Sequence, residues 1–393
     1  MSKETTIWIV IAVYVLFMLA VGILNSKNSK GMAAFTVGGR NAGAWISALS
    51  YGTAYFSAVM FIGYSGSSGW SYGLWSGLVG LGNAVFGSLL AWLVLAKRTR
   101  ECTRRLKIKS MPQLFEMRYN SQAMKLFSGI VIFIFLLPYS ASVYKGLTSV
   151  CSVLLNIDET VCMILIAVGS AVVLVLGGYM ATLKADFVQG IIMMFGVSAL
   201  LAMIIICPQV GGLQNGFQNM ISYMEQNQMA PMDSQMLVSL VATILMTSFG
   251  TWGLPQMVQK FYAIKSEKAI DTGTVISTLF AVIVAGGCYF LGGFGRLFAD
   301  RMEVVNGVPV GGYDAVIPTM LSGLPDLLMA VVVILVLSAS MSTLSSLVLT
   351  SSSTLTLDLI RDHLVKGMSQ KKQVLVMRCL IVVFIAISVV LAI

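Results

Sequence analysis

The chain has 393 residues, of which 57% are hydrophobic and 10% charged, with a net charge of +9. A soluble domain carries about 25% charged residues, so this composition excludes a single water-soluble core and specifies a polytopic helical membrane protein. The positive balance needs no nucleic acid, because most Lys and Arg fall in loops that alternation of spans puts on one side of the bilayer. Six scattered Cys form no CxxC pair, and the single His363 lies in a basic stretch. Neither pattern reads as a metal site.

The first apolar run, Ile7 to Leu24, lacks a basic leader and a small-residue cleavage site and is read as a retained helix. The second span begins near Ala42 and runs to about Gly63, then dissolves into Gly63, Gly66, Gly69 and Gly73. The third, Leu74 to Ala96, precedes the most basic loop, from Lys97 to Lys109. The fourth runs from Leu126 to about Leu155, with Pro138 expected to kink it. The fifth, Val161 to Leu176, ends at Gly177-Gly178, and Lys184 and Asp186 stand just before the sixth, Phe187 to Cys207.

A polar stretch, Pro208 to Ser234, separates these from the seventh span, Met236 to about Val258, which Gly250, Gly253 and Pro255 interrupt. The eighth is Thr272 to Leu291, and a second outer loop runs from Gly292 to Asp326. The ninth is Leu327 to about Leu357. The tenth starts at Val374 and the chain stops inside it, which reads as a fragment of a longer protein. Basic loops after the odd-numbered spans put those loops in the cytoplasm and the N-terminus outside, in a cell membrane.

Two interrupted helices, the second and the seventh, lie an odd number of spans apart and so enter from opposite sides. Matched broken helices point to an inverted-repeat transporter. The division expected is a leading helix and loop over 1–41, a first five-helix repeat over 42–207, an outer loop over 208–235 and a second repeat over 236–393.

Three features could carry chemistry. In the ninth span, Ser342, Ser345 and Ser346 stand at i, i+3 and i+4 with Thr343 beside them. Such a face either packs helices or offers neutral oxygens to a hard cation. Asp186, at the mouth of the sixth span, is either solvated or paired with a cation. Beside the breaks, Tyr55, Ser57, Tyr139, Trp252 and Pro255 are candidates to contact a solute. No metalloprotease, serine-hydrolase or nucleotide-binding motif occurs, so enzyme chemistry is not expected and transport would draw on an ion gradient.

The chain resembles the sodium:solute symporter family, and its sodium/proline branch most closely. The resemblance rests on Phe35-Thr36-Val37-Gly38-Gly39-Arg40, on Ala48 to Ser57, on Asp186-Phe187-Val188-Gln189, and on Ala339 to Ser346. It implies an all-α, five-plus-five inverted-repeat core with an extra leading helix, of which the final core helix is missing here. It implies one Na+ site from the backbone oxygens of Thr53, Phe56 and Ala339 and the hydroxyls of Ser342 and Thr343. It also implies a second, from Asp186, Ser342, Ser345 and Ser346. The sodium/proline members have Asp where this chain has Tyr55, which argues for a different solute. The expected function is Na+-coupled import of an amino acid, small carboxylate or sugar. A sensor built on a transporter-like domain, or H+ coupling, are the rival readings.

Overall fold

A computed structural model describes residues 3–26, 32–155, 158–227, 232–305, 307–365 and 367–393. Lys27, Lys30 and Lys366 lie outside the described residues. The protein is an all-α polytopic bundle; the only strands among the described residues form a hairpin, Val304–Val305 against Val308–Pro309, in the second outer loop.

The membrane helices, in chain order, are α1 (Lys3–Ser26), α2 (Ala44–Tyr55), α3 (Met60–Arg105), α4 (Gln122–Leu155), α5 (Glu159–Ile206), α6 (Ser234–Phe249), α7 (Pro255–Tyr262), α8 (Glu267–Gly292), α9 (Asp326–Thr354) and α10 (Gln370–Ala392). Six helical stretches among the described residues are long and apolar enough to cross a bilayer. Two are too long to cross only once. A 48-residue helix such as α5 would extend ~72 Å, against a hydrocarbon core of ~30 Å. Gly178, at φ 61° and ψ −166°, divides it. Gly73, at φ 57°, likewise divides the 46-residue α3. Both are conformations that a side chain would resist.

The division at Gly178 corrects the sequence reading. The sixth span starts at Tyr179 rather than Phe187, so Lys184 and Asp186 lie within a helix and not before one. The polar stretch from Pro208 also holds a helix, Leu213–Gln226.

The two breaks fall where glycine, proline and aromatic residues interrupt the apolar pattern. α2 ends at Tyr55, Phe56 adopts an extended φ of −99° and ψ of 90°, and helix resumes after Ser57. α6 ends at Phe249, and α7 starts at Pro255, whose missing N–H costs nothing at the first helical turn. The start of α2 and the end of α7 meet: Ala42 N–H donates to Ala263 O, and Lys265 N–H donates to Ala42 O, each at 3.0 Å. One broken helix therefore enters at the face where the other leaves, which is the inversion expected of the paired repeats.

α9 is the most enclosed of the long apolar helices and packs against α1, α2, α4, α5 and α10. α3 and α8 cross backbone to backbone. A Cβ at Gly69 would lie 2.0 Å from Gly292 O, closer than any packing allows. Gly69→Ala is expected to lower the unfolding midpoint of the purified protein, by an equivalent of about 1–3 kcal/mol or more. Gly169→Ala, where a Cβ meets nothing within 4 Å, should leave the midpoint unchanged or raise it slightly.

Candidate functional site

A helix that stops inside a membrane leaves its last carbonyls without intrahelical partners. At the end of α2 that problem is solved by α9. Thr53 O accepts hydrogen bonds from Ser342 Oγ at 3.1 Å and Thr343 Oγ1 at 3.2 Å. Ser342 Oγ also lies 3.0 Å from Ala339 O. Thr53, Phe56, Ala339, Ser342 and Thr343 are all buried. The helix break thus gathers carbonyl and hydroxyl oxygens with no fixed charge, a donor set of the kind hard cations take. Phe56 donates its N–H to Gly52 O at 2.9 Å, which holds the turn.

One helix away lies a buried ion pair. Asp186 Oδ2 accepts from Lys260 Nζ at 2.9 Å and from Ser50 Oγ, while Oδ1 has no hydrogen-bond partner among the described residues. Asp186 and Lys260 are almost fully enclosed, and the Lys260 ammonium also lies 5.6 Å from the centre of the Tyr179 ring. Lys260 follows the span read from Met236 to about Val258, and the sequence reading did not single it out. Its place within α7, between the apolar Val258 and Phe261, was the available signal that it points inward.

Ser345 and Ser346 are buried on the same helix as Ser342, and Ser346 Oγ has no hydrogen-bond partner among the described residues. Thr350, one turn beyond Ser346, donates to Gln259 Oε1 at 2.7 Å, so this stretch of α9 runs alongside α7. Gln189 Nε2 donates to Tyr14 Oη at 2.9 Å, and Ser338 Oγ to the same oxygen at 3.2 Å, tying α1, α5 and α9 together.

A cavity of about 270 Å³ opens between the two breaks, lined by Tyr55, Ser57, Tyr64, Asn83, Tyr139, Thr247, Thr251 and Leu254 among others. Among the described residues, no charged side chain lines it. Of the solute-contact candidates, Tyr55, Ser57 and Tyr139 line this cavity; Trp252 and Pro255 do not. The Trp252 indole donates to Phe86 O at 2.9 Å and packs edge-on against Phe249. Pro255 serves instead as the first residue of α7. The sequence missed Asn83, Thr247 and Thr251, which carry no motif. Asn83 Oδ1 accepts from Thr247 Oγ1 at 2.8 Å and Ser248 Oγ at 2.9 Å. Tyr55 Oη donates to Thr247 O at 2.9 Å. A larger cavity of about 690 Å³ is lined mainly by apolar groups such as Leu78, Leu201, Phe217 and Phe290, with Tyr72 and Trp75 the polar-tipped side chains of its lining.

Paired helix breaks, a neutral oxygen cluster and an enclosed polar cavity define a multi-pass secondary transporter driven by ions. The chain belongs to the sodium:solute symporter family, whose model matches residues 35–393. It is 25% identical to the sodium/proline symporter of Escherichia coli (strain K12) over 398 residues, covering 100% of this chain and 78% of that protein. It is 27% identical to the sodium/proline symporter of Staphylococcus aureus (strain NCTC 8325 / PS 47), covering 97% of this chain and 74% of that one. Against the sodium/pantothenate symporter of Haemophilus influenzae (strain ATCC 51907 / DSM 11121 / KW20 / Rd), identity is 25%, over 92% and 74% of the two chains. Its fold matches a Na+-coupled sialic acid symporter, solved in a substrate-bound outward-open state, with a TM-score of 0.82 and 18% identity. The match covers 100% of this chain and 82% of that one. The chain is thus a Na+-coupled solute transporter, not an enzyme, and Na+ is its coupling ion.

The buried pair yields a clear expectation. Lys260→Met alone strands the Asp186 charge and should cost about 3–5 kcal/mol, read from chemical or thermal unfolding. Adding Asp186→Asn should recover part of that loss, because two neutral groups are cheaper to bury than one unpaired ion.

Proposed function

We propose that this chain imports a small neutral or zwitterionic solute, or a monocarboxylate, together with Na+ by alternating access. The observation that carries the reading is Thr53. Its carbonyl faces the α9 hydroxyls, and two to four residues further on Tyr55 and Ser57 face the cavity. An ion held by Thr53, Phe56, Ala339, Ser342 and Thr343 would fix the end of α2 and, with it, the cavity wall. Ordering the break by Na+ would then raise solute affinity, and the solute would raise Na+ affinity by the same factor.

The uncharged cavity favours a solute without net charge, or an anion whose carboxylate faces the bound Na+. Tyr55 fills space where the sodium/proline branch has a carboxylate, which supports a solute other than proline. A Cβ at Gly87 would lie 2.0 Å from the Tyr55 hydroxyl, so the bulk of Tyr55 depends on a glycine opposite. We place the protein in the plasma membrane with its N-terminus outside and its basic loops in the cytoplasm.

A second cation position at Asp186, Ser345 and Ser346 is the finer part of the proposal. In the state described here the Lys260 ammonium neutralises Asp186. A Na+ there would have to share or displace it. Moving one charge across ~100 mV supplies ~2.3 kcal/mol, about fifty-fold accumulation. The number of ions therefore sets the gradient the protein can sustain.

The test is uptake by the full-length protein in proteoliposomes, with amino acids, monocarboxylates and sugars offered under Na+, K+ or H+ gradients. One solute should accumulate only under the Na+ gradient, and Ser342→Ala should raise the Na+ concentration for half-maximal uptake at least tenfold. Accumulation under an H+ gradient alone would replace Na+ by H+. Tight solute binding with no uptake would move the sensor reading forward.

A further inference from the structure

At the face where α2 begins and α7 ends lies a second polar cavity, about 470 Å³, which shares no lining residue with the cavity between the breaks. It is lined by Val37, Gly39, Arg40, Asn41, Arg104, Lys107 and Lys109. Its charged lining is four cations and no carboxylate. Arg40 feels Arg104 most, then an opposing contribution from Tyr262, then Arg100, and Lys109 feels Arg361 and Arg40. Burial first, and then these like charges, depress the ionisation of both side chains below their ordinary range. Arg40, Arg104 and Lys109 are half-buried and Lys107 is exposed at the rim; gathering such like charges is unfavourable unless an anion joins them.

Two of the four hold the cavity's shape. The Arg40 guanidinium donates to Thr103 O at 2.9 Å and Ile108 O at 2.6 Å. Arg104 donates to Arg40 O at 3.0 Å, Ile264 O at 3.1 Å and Lys265 O at 3.0 Å, while its buried Nε has no partner among the described residues. The other two are available: neither the Lys107 nor the Lys109 ammonium has a hydrogen-bond or ion-pair partner among the described residues. The backbone is unusual too. Gly38, Gly39 and Arg40 follow one another at φ 59°, 64° and 60°, and Lys107 stands at φ 54°. Left-handed Arg and Lys are uncommon and cost of order 1–3 kcal/mol each.

We propose that this cavity binds a phosphate-type oxyanion, supplied by the headgroup of an anionic phospholipid. Lys107 and Lys109 contact the phosphate, and Arg40 and Arg104 shape the pocket. The lipid source follows from position. The apolar part of α3 ends at Ala96, the helix continues through the basic stretch Lys97–Arg105, and the next residue, Leu106, is exposed beside the cavity. Cations at the rim with an apolar side chain next to them match a headgroup and its acyl chain.

The experiment uses the full chain and the variant Lys107→Asn/Lys109→Gln, which removes two cations that hold no other element in place. Native mass spectrometry and thermal unfolding are run with phosphatidylglycerol, with phosphatidylcholine and with inorganic phosphate at constant ionic strength. A control variant, Lys371→Gln/Lys372→Gln, removes two exposed lysines at the start of α10. Phosphatidylglycerol, but not phosphatidylcholine, should raise the wild-type midpoint and remain bound. The cavity variant should weaken that binding about tenfold or more, and the control variant should not. Inorganic phosphate giving the full midpoint rise and displacing the lipid would leave the oxyanion site but make its ligand a soluble one, overturning the lipid assignment. Equal responses of wild type and cavity variant, or equal losses in cavity and control variants, would overturn the site itself.

Discussion

A helix that ends in mid-membrane must find partners for its backbone, and the rest of this structure is arranged around that constraint. With no water in the hydrocarbon core, an unsatisfied carbonyl costs several kcal/mol. α2 stops at Tyr55, and the hydroxyls of Ser342 and Thr343 approach the Thr53 carbonyl from α9. Hydroxyls can rotate to donate to that carbonyl or turn their lone pairs to a cation. On the proposed reading the same contact closes on itself or opens around an ion, which makes the break a two-state element rather than a fixed joint. α9 can serve this end because it is enclosed on nearly every side, so its hydroxyls are held in position by packing.

Electrostatics are kept apart from that neutral cluster. The charges buried near it are Asp186 and Lys260, which compensate each other across α5 and α7. α7 begins at the second break, so the pair ties one broken half-helix to the first repeat. Any motion that carries α7 away from α5 must separate the two charges or replace one of them, and an incoming cation at Asp186 is the replacement the chemistry allows. The cavity proposed for the solute, lined by tyrosine, serine, threonine and asparagine, lies against the same breaks with no charged side chain among its described lining.

The fold was legible because composition and periodicity report directly on a bilayer: long apolar runs, basic flanks and two interrupted helices gave the span order. Span edges were less legible. Ala181, Leu183 and Ala185 carry helix through Lys184 and Asp186, and the positive φ of Gly178, not the charges, marks where that helix begins. The hydroxyl face on α9 was readable from i, i+3, i+4 spacing, but its partner carbonyl was not, since a backbone oxygen leaves no mark in sequence. Lys260 was missed because a lysine near a span end ordinarily reaches for water. Asn83, Thr247 and Thr251 were missed because they are ordinary helix and loop residues, brought together only by the packing of α3 on α6. Trp252 shows the converse, an aromatic residue in a break whose ring turns outward onto Phe249.

The central claim is that Na+ at the α2 break and solute in the adjoining cavity stabilise one another. The most direct test is equilibrium binding of ²²Na+ to the purified full-length protein, with and without saturating transported solute, alongside solute binding with and without saturating Na+. The account predicts that each ligand tightens the other by the same factor, and that Ser342→Ala reduces that factor toward one. Na+ binding that is unaffected by any transported solute would contradict it.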